Sequence, residues 1–281
     1  NAGLQSLPFV HRYVTKTGAL VMTCRDCTDP NVKALVHGHG PSLVAIDLSK
    51  RKVTDASVAY LAHAPKLNSL IPDDTKITDR AMLRIGSFQA LRLLHLSKTK
   101  VTDAINPYLA KLKQLRSLDL SYTKVTDNIG PHLAKLTHLE ELYLGETKVT
   151  DAIIPHLTKL KQLKVLNLSS TKITTAIVPH LAKLTQLERL YLSRTKVTDA
   201  IGAHLAKLTH LSSLALEATD AIGPHLAKLT QLKHLYLSGK KVSDAVSPHL
   251  AKLTQLKTLD LDCPQFTKAG IARLEAQLPN C

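Results

Sequence analysis

Residues 115–138 read LRSLDLSYTKVTDNIGPHLAKLTH, and residues 139–162 read LEELYLGETKVTDAIIPHLTKLKQ. The two stretches share every apolar landmark. Leu115, Leu118 and Leu120 open the first, and Leu139, Leu142 and Leu144 open the second. The L-x-L alternation predicts a short strand with one buried face, because strand side chains point alternately to either side. V-T-D then turns the chain away. In the copy before, Leu109 and Leu112 stand three apart, as the buried edge of a short helical piece would require.

The V-T-D triplet carries the period along the chain. It stands at Val53-Thr54-Asp55, Ile77-Thr78-Asp79, Val101-Thr102-Asp103, Val125-Thr126-Asp127 and Val149-Thr150-Asp151, 24 residues apart each time. Ile173-Thr174-Thr175 and Val197-Thr198-Asp199 continue it. The next copy, Ala218-Thr219-Asp220, comes three residues early, and Val242-Ser243-Asp244 and Phe266-Thr267-Lys268 follow. A degenerate first copy is Cys27-Thr28-Asp29. That makes about eleven turns. One turn buries little alone, so stacked turns must share a single leucine core. The composition agrees: 44% of residues are hydrophobic, only 4% are aromatic, and tryptophan is absent.

Two local expectations follow. The Asp of V-T-D is placed to cap a helix start, where N–H groups lack partners. Pro107, Pro131, Pro155, Pro179, Pro224 and Pro248 recur four residues later. Lacking an N–H, they predict short or 3₁₀-like segments rather than long helices.

L-x-x-L-x-L followed by T-D-A-x-x-x-x-L resembles the leucine-rich-repeat family. It is most similar to the ribonuclease-inhibitor-like and cysteine-containing subtypes, including bacterial GALA-type repeats. Cys27-Thr28-Asp29 and Gly40-Pro41-Ser42-Leu43 are similar to the form found beside F-boxes, although no F-box is present. The resemblance implies an α/β solenoid, a curved horseshoe. Its parallel β-sheet would line the concave face, with short helical or 3₁₀ segments outside. Residues 1–19 are expected to form a cap or degenerate repeat, and 20–281 the repeat domain, capped at 263–281. One departure stands out: the family's usual Asn after L-x-L is Thr here, at Thr75, Thr99, Thr123, Thr147, Thr171 and Thr195. A Thr hydroxyl satisfies turn backbone, but less completely than Asn.

The period also assigns faces. Core positions barely change between turns, whereas the residues flanking the strand leucines change at nearly every turn. They include Asp119, Glu141, Tyr143, Asn167, Arg189, Tyr191, His234 and Tyr236. This mixed, tyrosine-bearing row predicts a protein-binding surface, since Tyr and Arg bury much area while keeping a polar tip. The net charge of +15 would alone favour an anionic partner. Its lysines fall elsewhere, in an edge ladder (Lys76, Lys100, Lys124, Lys148, Lys172, Lys196, Lys241) and an outer one (Lys111, Lys135, Lys159, Lys183, Lys207, Lys228, Lys252). The edge ladder is expected to be partly neutralised by the Asp residues. Neither ladder is interleaved with aromatics for base stacking, so nucleic acid is not the expected partner. Binding of an anionic polymer along the outer side is the alternative. A recognition domain of a larger ligase or bacterial effector is another.

His132, His156, His180, His204, His225 and His249 form a third outer ladder. One His per turn does not converge on a metal. No metal ligand set, cofactor motif or catalytic signature is expected. Of the four cysteines, Cys27 is expected as a buried core thiol in Cys24-x-x-Cys27. Cys263 and Cys281 could close a cap disulfide. No apolar run reaches the roughly 20 residues of a membrane helix. Cytoplasmic and secreted-effector locations both stay open.

Overall fold

The L-x-L pieces are strands and the segments after V-T-D are helical, as the periodicity predicts. The computed structural model describes residues 10–14, 20–24 and 27–281, and two compact units divide between Leu142 and Tyr143. In the first unit, β1 (Val10–Val14), β2 (Leu20–Cys24), β3 (Leu43–Asp47), β4 (Ser69–Ile71), β5 (Leu93–His95) and β6 (Ser117–Asp119) lie side by side in chain order. β1 runs antiparallel to β2, and every later neighbour is parallel. The division falls within β7 (Glu141–Tyr143). In the second unit, β8 (Val165–Asn167), β9 (Arg189–Tyr191), β10 (Ser213–Thr219), β11 (His234–Lys241) and β12 (Thr258–Asp262) are again parallel and in order. Parallel neighbours need a crossover, and each turn of the repeat supplies one. Of the expected cap at 1–19, only the β1 strand lies within the described residues.

Register brings like residues together. Leu70, Leu94 and Leu118 pair across β4–β6, and Leu166, Leu190, Leu214 and Leu235 across β8–β11. All seven are fully buried. Each contributes about 1.5–3 kcal/mol relative to leaving it in water, and only its neighbours in adjacent turns make that burial complete.

The helical segments divide by sequence. α1 (Asp29–His39), α2 (Asp55–Leu61) and α3 (Asp79–Ile85) are continuous. From Pro107 onward, a 3₁₀ segment such as Asp103–Ile105 leads into a four-residue helix. These helices are α4 (Asn106–Leu109), α5 (Gly130–Leu133), α6 (Ile154–Leu157), α7 (Val178–Leu181), α8 (Gly202–Leu205), α9 (Gly223–Leu226) and α10 (Ser247–Leu250). Pro occupies the first turn, where a missing N–H costs nothing. α8 carries Ala203 in that place and keeps the same form, so the repeat geometry enforces the break along with proline. α11 (Lys268–Gln277) ends the chain's regular structure.

The capping expectation needs correction. The cap is the Thr of V-T-D: the hydroxyls of Thr54, Thr78, Thr102 and Thr126 accept from the N–H two residues on. The Asp instead reaches the next turn. Asp55 accepts from Thr78 N at 2.8 Å and Thr78 Oγ1 at 2.6 Å, and Asp79, Asp103, Asp151, Asp199, Asp220 and Asp244 repeat the arrangement. Where the sequence has Thr175, its hydroxyl accepts from Thr198 N at 2.9 Å. The Asp residues therefore join neighbouring turns, and these bonds are not made to the edge lysines.

The Thr that replaces the family's Asn also has a defined partner. Thr99, Thr123 and Thr147 donate to the carbonyl three residues back at 2.6 Å. Just before this Thr sits a left-handed residue: Asp74, Lys98, Tyr122, Glu146, Ser170 and Arg194 have φ between 54° and 57°. The turn that is three residues short has none of these. There the chain stays extended, so β10 and β11 are longer, with a register shift between Glu217 and Thr219. Gly239 meets this shift at φ +150°, where an added Cβ would lie 2.2 Å from the Ala218 carbonyl oxygen.

The cysteine readings are also corrected. Cys27 is buried, as expected, but disulfide-bonded. Cys263 and Cys281 are both free thiols. Burial, with the charges of Asp262, Asp220 and Asp260, pushes the Cys263 thiol up to about 11, so it is protonated and unreactive at neutral pH.

Candidate functional site

Strand alternation sends both leucines of each L-x-L to the core and the residues that flank them along the strand to the opposite side. The expected binding residues follow this rule in both units. In the second unit Asn167 stands opposite Tyr191, Tyr191 opposite Ala215, and Ala215 opposite Tyr236. One row lower, Arg189 faces Ser213, and Ser213 faces His234. Tyr191 Oη lies 3.5 Å from Ser213 Oγ, so its hydroxyl reaches the start of β10. The small residues Ser213 and Ala215 are buried. Tyr236 is 39% exposed, Arg189 is exposed, and Asn167, Tyr191 and His234 are half-buried. His234 Nδ1 is 3.2 Å from Thr258 Oγ1. Tyr143 is half-buried on β7.

The other two expected residues belong to the first unit, in different company. Asp119 stands opposite His95, and Glu141 accepts from Ser117 Oγ at 2.9 Å. Ser117 Oγ is also 3.1 Å from His95 Nε2. Asp73, His95 and Asp119 each offer a ligand atom, and these atoms lie within 4.8 Å of one another. Ser97 N–H donates to Asp73 Oδ1 at 2.7 Å, and Ser121 N–H to Asp119 Oδ1 at 2.7 Å. Burial, then the charges of Asp119, Asp47 and Asp74, raise the Asp73 carboxyl to about 6 against the pull of that N–H. Burial lowers the His95 imidazole, although Asp119, Glu141 and Asp47 pull the other way.

Sequence reading missed this grouping, having expected no metal ligands. His95 and Asp119 are one 24-residue period apart, which signals lateral neighbours. Asp73 sits two positions past its strand row and was not aligned with them. Sequence reading also passed over Tyr122. It is 54% exposed in the left-handed position, with Lys98 Nζ 5.0 Å from its ring centre. The lysines of both ladders are exposed throughout. The outer histidines are half-buried, and Nδ1 of His132, His204 and His225 is buried without a hydrogen-bond partner.

The sequence matches the profile of a leucine-rich repeat region over residues 69–221 and again over 147–278. The chain belongs to the leucine-rich-repeat family. Among solved structures, this leucine-rich-repeat protein is similar to an internalin, InlF, of Listeria monocytogenes. Identity is 22% and the TM-score 0.61, over 91% of this chain and 84% of the internalin. Internalin C2 of the same organism is 26% identical with a TM-score of 0.57, over 75% of this chain and 84% of its own. The leucine-rich-repeat ectodomain of the Arabidopsis receptor kinase HAESA, solved with an N-terminally extended IDA peptide hormone, gives 19% and 0.63. That match covers 93% of this chain and 45% of the receptor chain. These likenesses establish the fold. No curated protein matches the sequence. Among the described residues, no helix is long and apolar enough to cross a membrane.

Proposed function

We propose that this leucine-rich-repeat protein is a binding module, not an enzyme, and that it holds a protein or peptide partner on the sheet side of its repeat. The sheet side is read as the concave face, and the 24-residue turn as the ribonuclease-inhibitor-like, GALA-type kind. Residues 263–281 are read as the C-terminal cap. The anchors are Tyr143, Tyr191 and Tyr236, with Asn167, Arg189 and His234 as polar contacts around them. Asp119 and Glu141 extend the variable row in the first unit. One observation carries the reading: Tyr191 and Tyr236 flank Ala215 in register, on a strand that has Ser213 two residues earlier on the same face. Two large rings beside two small residues make uneven relief, and a partner side chain can bury itself against it. Each tyrosine brings about 150–250 Å² of burial and a hydroxyl to pair. The HAESA ectodomain, of the same fold, is solved with a peptide hormone, which fits a peptide as the occupant.

Replacing Tyr191 and Tyr236 with Ala tests the reading. Interface anchors cost about 2 kcal/mol or more when truncated, so each replacement should weaken a captured partner roughly 30-fold. The circular dichroism of the chain should not change. Gln replacement of Lys111, Lys135 and Lys159 should leave affinity within a few-fold. Full affinity in the tyrosine variants, with steep salt dependence lost in the lysine variant, would instead mark an anionic polymer on the outer side.

A further inference from the structure

Asp73, His95 and Asp119 come from three consecutive turns of the first unit, and the partner-binding reading leaves two of them without a role. Asp73 is the odd member of its column: later turns carry Ser97, Ser121, Gly145, Ser169 and Ser193 in that place. The charges that bear on Asp73 are those of Asp119, Asp47 and Asp74. Those that bear on His95 are Asp119, Glu141 and Asp47. No Lys or Arg is among them, in a chain whose net charge is +15. Carboxylates gathered this way and partly withdrawn from water disfavour their own ionised state. A bound cation removes that penalty.

The histidine narrows the kind of cation. Ser117 Oγ donates its single proton to Glu141, so toward His95 Nε2, at 3.1 Å, it can only accept. The proton of a neutral ring is then on Nε2, and the lone pair is on Nδ1. A ring whose second nitrogen is bonded through a hydroxyl to a carboxylate has the outer support typical of metal-binding histidines. Imidazole with two carboxylates is a mixed nitrogen and oxygen set. Such a set suits Zn²⁺ and its first-row neighbours, whereas Ca²⁺ and Mg²⁺ prefer oxygen alone.

We propose that Asp73, His95 and Asp119 form a binding site for a divalent first-row transition-metal ion, with Zn²⁺ as the reference case. A tetrahedron with bonds of about 2.0 Å has edges of roughly 3.3 Å. The ligand atoms, within 4.8 Å of one another, close to that size by rotation of the two carboxylates. Three protein ligands leave a coordination position open to water or to a carboxylate of a bound partner.

The test uses the full untagged chain, stripped with a chelator and titrated with Zn²⁺ by calorimetry, then with Co²⁺ by visible absorption. One tight site per chain is expected, with the absorption of a low-symmetry Co²⁺ centre. Asp73→Asn, His95→Gln and Asp119→Asn should each weaken that site at least tenfold, and Ser117→Ala about tenfold. The two Asp→Asn variants relieve like-charge crowding, so they should melt no lower than the parent without metal. His156→Gln with His180→Gln, on the outer ladder, should leave the tight site unchanged. Absence of a tight site, or equal binding in the three ligand variants, overturns the assignment. So does loss of the site in the outer-ladder variant alone.

Discussion

At the scale of single residues, the Asp of each V-T-D joins one turn to the next. Asp29 shows the arrangement at its fullest, accepting from Thr54 N at 2.8 Å, Thr54 Oγ1 at 2.7 Å and Ser57 Oγ at 2.5 Å. Burial works against its charge, but the bonds from Ser57 and Thr54 outweigh it and hold the pKa below the usual 3.8. A depressed carboxyl pKa gives stability that is present above the unfolded value and lost as pH falls through the folded one. Asp29→Ala should therefore cost about 1–3 kcal/mol at pH 7 by urea unfolding. The gap to the parent should narrow below pH 3.8. A gap that does not change down to pH 2 would contradict the charge-assisted bond. The periodicity of this Asp was legible in the sequence, but its partner was not. A cap acts within one turn, whereas this bond depends on how far adjacent turns are offset. The same limit hid Asp73, whose place beside His95 and Asp119 is set by the offset between turns.

At the scale of elements, strands and helical segments were legible because each has its own signature, L-x-L for one and the first-turn proline for the other. The connections between them were less so. Six residues that are not glycine take the left-handed conformation before the Thr of T-K-V or T-K-I, a place where side-chain type gives no warning. The short turn around Ala218 differs because three residues are missing, which leaves β10 and β11 extended and loads the geometry onto Gly239. A side chain there meets both an unfavourable φ and the Ala218 carbonyl. Gly239→Ala should destabilise the chain by about 2 kcal/mol or more. At Gly145 an added Cβ finds its nearest neighbours at 3.4 Å, and Gly145→Ala should change stability by no more than about 1 kcal/mol. Equal effects of the two, measured by chemical denaturation, would mean that the shortened turn is not strained in this way.

At the scale of the molecule, the repeat explains both the fold and the placement of charge. A chain of stacked turns is stabilised turn by turn, so whole periods are exchangeable units. Deleting residues 163–186, one full period within the second unit, should leave a folded protein with cooperative unfolding and a lower midpoint. Deleting residues 163–174 removes a strand but keeps its helical segment, and should abolish cooperative unfolding. The fold was legible because eleven near-copies repeat one message. The proposed binding surface was legible only as the row that varies, since variation marks where the core does not constrain the residue and says nothing of what touches it. The excess of lysine lies on exposed edge and outer rows, while Tyr143, Tyr191 and Tyr236 stand on strands of the sheet. The sheet side is proposed as the place where a partner sits. Hydroxyl-radical footprinting of the full chain with and without its captured partner tests it most directly. Strong protection of Tyr191 and Tyr236 is expected in the complex, with unchanged labelling of His156 and His180 on the outer ladder. Protection of the outer histidines with both tyrosines still fully labelled would contradict it.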